Sequence, residues 1–126
     1  MALLYLDHVN LRTENLAGMT EFYCSVLGLR LGPRPAFAFG GAWLYCGERP
    51  VVHLVEVDQT PTPSGALRLE HFAFSADGFE ELADALTRAN VEHRVSKLVG
   101  SETRQINLRD PDGNRVHVDF PSHLAK

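Results

Sequence analysis

The sequence predicts an α+β fold of two β-α-β-β-β modules whose curled mixed sheets wrap around a cavity, and three observations carry that expectation. The first is a direct repeat. Leu6-Asp7-His8-Val9-Asn10-Leu11 returns as Leu69-Glu70-His71-Phe72-Ala73-Phe74, 63 residues on from His8 to His71, and Val52-His53-Leu54 returns as Val116-His117-Val118, 64 residues on from His53 to His117. A unit of that length used twice is too long for a solenoid repeat and reads as two similar half-domains. The second is a shared order of periodicities in each half: two-residue alternation, then three- and four-residue apolar spacing, then short strands again. The third is the stretch Gln59-Thr60-Pro61-Thr62-Pro63-Ser64-Gly65, whose Pro, Thr, Ser and Gly mark an internal linker. Residues 1–126 are thus expected to form a single domain, with module one at about 4–58, a linker at 59–67 and module two at about 68–121.

Taken in order, residues 4–11 alternate as a strand, with His8 and Asn10 on one face and Asp7 and Val9 on the other. Leu16, Met19, Phe22, Tyr23, Val26 and Leu27 then follow helical spacing, with Asn15 or Thr13 as the N-terminal cap and Gly28 as the stop. Strands are expected at 29–31 running on through 37–39, at 42–46 and at 51–57. Module two repeats the plan: a strand at 69–75, a helix built on Phe79, Leu82, Ala83, Leu86 and Ala89 after Asp77-Gly78, and strands at 91–98, 105–109 and 115–120. Gly40-Gly41, 47–50 and 110–114 read as turns.

Composition bounds the function. The 126 residues are 44% hydrophobic and 22% charged, ordinary values for a folded domain. Twelve Lys and Arg against sixteen Asp and Glu leave a net charge of −4, which argues against nucleic acid as a partner. No apolar run approaches the ~20 residues of a membrane span. The start, residues 1–10, lacks a basic region and is interrupted by Asp7, unlike a secretion signal. Two cysteines, Cys24 and Cys46, make no disulfide framework and suit reduced thiols in the cytoplasm.

The histidines carry the chemistry. His8 and His71 are repeat-related, and so are His53 and His117; within each half the two fall on the first and last strands. If those strands are neighbours, four imidazoles can converge, and convergent neutral imidazoles are a metal site. An imidazole-rich site suits zinc, iron, nickel, cobalt or copper better than magnesium. Without a carboxylate ligand it keeps the ion's full charge and favours an anionic ligand or substrate. Alternation adds Asn10 two residues after His8, and Asp119 two residues after His117 as the candidate base. It also adds Gln105 and Asn107 on one strand face as candidate substrate contacts.

Four stretches resemble the vicinal oxygen chelate superfamily of glyoxalase I, fosfomycin-resistance thiol transferases, extradiol dioxygenases and bleomycin-binding proteins. They are residues 6–9, Phe22-Tyr23-Cys24-Ser25-Val26-Leu27-Gly28-Leu29, residues 69–74, and Asp110-Pro111-Asp112-Gly113-Asn114-Arg115-Val116-His117. The resemblance implies a glyoxalase-like fold, a homodimer, and a divalent metal ion at His8, His53, His71 and His117. The ion would bind vicinal oxygens of a small-molecule substrate in a lyase or dioxygenase reaction. In glyoxalase I-like members the second and fourth ligand positions are usually Glu, and here both are His. A metal-bound imidazole is a poorer base than a carboxylate that can leave the metal, which sets this chain apart from the glyoxalase reaction itself. The alternative implied by the same resemblance is a metal-free, bleomycin-resistance-type protein that sequesters its ligand. Such proteins typically lack the ligand residues.

Overall fold

The computed structural model describes residues 1–61 and 68–121, so most of the expected linker lies outside the described residues. The chain divides into two compact units, residues 1–61 and 62–126.

The first unit holds β1 (Val9–Thr13), α1 (Leu16–Glu21) continued by a π-helical turn (Phe22–Val26), β2 (Arg30–Gly32), β3 (Gly41–Cys46) and β4 (Arg49–Glu56). The second holds β5 (Phe72–Ser75), α2 (Phe79–Arg88), β6 (His93–Lys97), β7 (Arg104–Arg109) and β8 (Arg115–Phe120). Each unit is therefore β-α-β-β-β, as the repeat predicts. The sheets are β1-β4-β3-β2 and β5-β8-β7-β6, four strands each and mixed: the first and last strands of a unit run parallel side by side, and the other pairings are antiparallel. Neither sheet closes on itself.

Local chemistry explains the boundaries. Of the two expected caps of α1, Asn15 is the one used, its side chain accepting from the Gly18 N–H at 3.2 Å, while Thr13 Oγ1 accepts from the Asn15 N–H at 2.8 Å and so holds the cap residue rather than the helix. Gly28 stops the helix at φ 86°, in the left-handed region that glycine enters without a side-chain clash. In α2, Glu80 and Glu81 stand in the first turn and Arg88 in the last, complementing the helix dipole at both ends. The strand expected to run from 29 through 39 ends at Gly32, because Pro33 and Pro35 have no N–H to give a ladder. The expected first strands are also shorter. β1 begins at Val9 and β5 at Phe72, so His8 and His71 each sit one residue before a strand rather than on it.

Each sheet buries one face. In the first unit Met19 of α1, Tyr23 of the π-helical turn, and Leu44, Val52 and Leu54 of the sheet are buried, and in the second unit Leu86, Ile106, Val116 and Val118 are buried. Each such apolar side chain contributes roughly 1.5–3 kcal/mol on burial. Along β8, Val116, Val118 and Phe120 are buried while Arg115, His117 and Asp119 alternate onto the other, half-buried face. Phe79 meets Phe120 edge to face at 5.3 Å, fixing α2 against that strand.

The β7–β8 turn is held by one carboxylate. Asp110 is buried and accepts from the N–H groups of Asp112 and Asn114 and from the Asn114 side-chain amide, at 2.9–3.0 Å. Gly113 takes φ 90° within it. Both cysteines are free thiols, with burial raising the Cys24 pKa above its ordinary value. Among the described residues no helix is long and apolar enough to cross a membrane.

Candidate functional site: two stacked imidazole pairs

The parallel pairing of β1 with β4 sets Asn10 opposite His53, and the antiparallel pairing of β3 with β4 sets Trp43 opposite His53 on the other side. His8 projects from just before β1. Its ring stacks on His53 with centroids 3.8 Å apart and planes 11° apart, while Trp43 stacks on His53 at 4.0 Å and 11°. Two parallel rings that close must occupy opposite faces of the imidazole, so His53 is the middle of a three-ring stack. It is buried, 8% exposed, and its Nε2–H donates to the Pro50 carbonyl at 2.9 Å.

The second unit rebuilds the pair. His71 precedes β5 and stacks on His117 of β8 at 3.9 Å and 13°. The register places Ala73 and Asn107 on the two sides of His117, where the first unit has Asn10 and Trp43 around His53. Asn107 makes no ring stack. Its amide donates to Ser96 Oγ at 3.0 Å and to the Arg94 carbonyl at 3.2 Å.

Each first histidine is held by the acid before it. His8 Nδ1 donates to the Asp7 carboxylate at 2.7 Å, and His71 Nδ1 donates to the Glu70 carboxylate. These bonds hold the pKa of Asp7 and of Glu70 below the usual carboxylate range. The other oxygen of Glu70 pairs with Arg115 Nη1 at 3.2 Å, so that acid bridges an imidazole and a guanidinium. Burial, followed by the neighbouring imidazole, lowers the pKa of His53 and of His117 below the ordinary histidine value. Both second histidines thus favour the neutral form that a metal requires.

Strand alternation on its own put Asp7 on the face away from His8. The structure corrects this: residue 7 lies ahead of β1, where the two-residue period of a strand does not apply, and the carboxylate turns to its neighbour's ring. The signal was present in the repeated Leu-acid-His pattern. Of the other predicted residues, Asp119 shares a face with His117, and Gln105 is its cross-strand partner; Gln105 Nε2 donates to Asp119 Oδ1 at 3.0 Å. The candidate base and a candidate substrate contact are therefore bonded to each other. Asn10 is exposed beside His53.

The donors suit a divalent ion. A ring fixed through Nδ1 by a carboxylate leaves Nε2 available, and carboxylate backing is the usual support of a histidine ligand. Each unit supplies one such imidazole, His8 or His71, stacked on a second ring; of the second rings, His53 spends its Nε2 on the Pro50 carbonyl and keeps Nδ1 as its donor. Among the described residues no three His, Cys, Asp or Glu side chains gather closely enough to hold an ion.

The comparisons with known proteins agree with this architecture. Residues 5–118 match the Glyoxalase/Bleomycin resistance protein/Dioxygenase superfamily, and the chain belongs to that family. No curated protein matches the sequence. Among solved structures, a glyoxalase family protein from Bacillus anthracis is similar at TM-score 0.81 and 21% identity, covering 97% of this chain and 98% of that one. A lactoylglutathione lyase from Agrobacterium tumefaciens gives TM-score 0.71 at 22% identity, covering 94% and 95%. An antibiotic binding protein from Streptomyces sp. CB03234 gives 0.70 at 20%, covering 97% and 99%. At these identities the likeness is one of fold.

Proposed function

We propose that this chain is a metal-dependent enzyme of the glyoxalase/dioxygenase type. In this reading it binds vicinal oxygens of a small molecule at a divalent ion held by His8, His53, His71 and His117. The observation that carries the reading is the twice-built imidazole pair, with rings 3.8 and 3.9 Å apart and an acid behind the first ring of each. A core histidine kept only for packing has no need of a carboxylate partner, and a chance pair would not recur at the same repeat position.

When bound, the ion supplies Lewis-acid stabilisation of charge developing on the substrate oxygens. The chain's own residues do the rest. Asp7 and Glu70 fix the His8 and His71 rings and their tautomers. Asp119, oriented by the Gln105 amide, holds or takes a proton on the face it shares with His117. Asn10 and Asn107 flank the second histidines and contact substrate. One unit offers two imidazoles, so a four-ligand set draws on two modules, and we assign the second to a partner copy in a homodimer.

The test is metal content of untagged protein by mass spectrometry, with solution mass measured by light scattering. The expected result is bound divalent metal in a dimer, lost in His8→Ala, His53→Ala, His71→Ala and His117→Ala. Metal-free protein that takes up none of zinc, iron, nickel, cobalt or copper would overturn it.

A ligand-sequestering role is the second reading, favoured by one feature. Phe37 and Phe39 stack at 4.9 Å, are 43% and 48% exposed, and Phe37 neighbours Trp43. Such a surface suits a planar aromatic ligand. Binding of an aromatic antibiotic without turnover, by protein that takes up no metal, would favour this reading.

A further inference from the structure

The second unit contains a cleft of about 380 Å³ bounded by β6, β7 and β8, within the size range of small-molecule sites. His117 and Asn107 form part of its wall, and so do Arg94, Arg109 and Arg115, against the single carboxylate of Glu92. Three arginines line one small cleft in a chain whose net charge is −4, and with Arg115 paired to Glu70 the positive charge there rests on Arg94 and Arg109.

Two of them are held in place. Arg109 Nη1 donates to the Gly113 carbonyl at 2.9 Å, and Arg115 pairs with Glu70 at 3.2 Å. Arg94 is exposed and is in no ion pair among the described residues. Asn107, by donating to the Arg94 carbonyl, ties that backbone to the wall. A guanidinium presents a planar fork that fits carboxylate or phosphate oxygens two at a time. Nucleic acid is a poor fit for so small a cleft in an acidic chain.

We propose that this cleft receives an anionic group, a carboxylate or a phosphate, of a small molecule whose remainder reaches the His71–His117 pair, with Arg94 and Arg109 as its principal contacts. The inference rests on the reading of that pair as part of the reaction site, and it names the substrate class: an oxyanion-bearing small molecule. Arg115 links the two regions, since through Glu70 it is bonded to the group that orients His71.

The experiment is calorimetric titration of the full chain with inorganic phosphate and, separately, with malonate, before and after chelator treatment. Arg94→Ala, Arg94→Lys and Arg109→Ala are compared with the unaltered protein, and metal content is measured on every sample. The expected result is saturable binding of at least one probe in chelated protein, weakened about 10- to 100-fold by Arg94→Ala, as for loss of a charged hydrogen bond. Arg94→Lys should fall between, because it keeps the charge and loses the fork. The stronger probe tells carboxylate from phosphate.

Three results would overturn the proposal: no saturable binding of either probe, binding unchanged in the Arg94 and Arg109 variants, or binding that vanishes with the metal. The last would place the anion on the ion rather than in the cleft. Metal content reports on the imidazole reading independently, so anion binding in a protein that takes up no metal would sustain the cleft and sink only that reading. Arg94 is exposed and Arg94→Lys is conservative, so a folding failure of Arg94→Ala leaves Arg94→Lys and Arg109→Ala to decide.

Discussion

Asn107 stands in the second unit where Trp43 stands in the first: each is the β-ladder partner of its unit's second histidine. Trp43 closes one face of His53, whereas Asn107 turns its amide to Ser96 and leaves His117 on the wall of a cleft. The duplicated units have thus diverged at the residue beside the imidazole. One pair is stacked shut, and the other opens onto space for a ligand.

This asymmetry predicts unequal costs. Trp43→Ala removes a half-buried indole and its stacking on His53, and should destabilise by about 2 kcal/mol. Asn107→Ala removes two hydrogen bonds at a partly solvated position and should cost about 1 kcal/mol. Urea unfolding of the metal-free protein measures both. A cost for Asn107→Ala equal to that of Trp43→Ala would show that the amide is structural to the same degree as the indole.

Removing the acids behind the first histidines tests their role. Asp7→Asn and Glu70→Gln should each lower divalent-metal affinity roughly 10- to 100-fold, the usual effect of losing a carboxylate behind a histidine ligand. Circular dichroism should be unchanged, because both acids are at the surface ahead of their strands. Chelator competition supplies the affinities.

Stability should depend on pH through His53 and His117. Their pKa values are lowered in the folded protein. As pH falls below the unfolded value of about 6.5, the unfolded chain takes up protons first, so stability drops until the lower folded value is reached. Above that window the contribution is fully present. Asp7 and Glu70, also lowered, add stability that is lost at more acidic pH, as it falls below the unfolded carboxylate range. Metal-free protein should therefore weaken in two stages on acidification. A His53→Gln, His117→Gln double variant should lack most of the first stage, as read by denaturant midpoints across pH.

Replacing a ligand position by a carboxylate tests the chemistry. His117→Glu should retain metal and gain isomerase activity on a hemithioacetal of about 100-fold or more over the unaltered chain, the low end of what a positioned base contributes. Robust activity in the unaltered chain would instead show that another group, Asp119 first, already serves as the base.

Much of this was legible in the residues. The repeat placed both histidine pairs, Gly28 marked the helix end, and 115–120 read as a strand because Val116, Val118 and Phe120 alternate with Arg115, His117 and Asp119. Other features had no local signature. The π-helical turn at Phe22–Val26 is a matter of backbone bonding that apolar spacing does not encode. The Asp7–His8 and Glu70–His71 bonds depend on where β1 and β5 begin, which is the least determined part of any strand pattern. The arginine cleft assembles residues 94, 109 and 115 from three strands, and only their pairing brings them together.

The turn gathered by Asp110 sits at one end of β7 and β8 and carries none of the candidate histidines, yet it decides which way His117 looks. The pairing of Asn107 with His117 is counted outward from that turn. Were the turn to loosen and the ladder to slip by one residue, side chains of odd and even number would exchange faces. Val116 and Val118 would be presented to the cleft, and His117 to the buried apolar face. Asp110 is in this sense a phase marker: damage there would erase the site by parity, with every one of its residues still present.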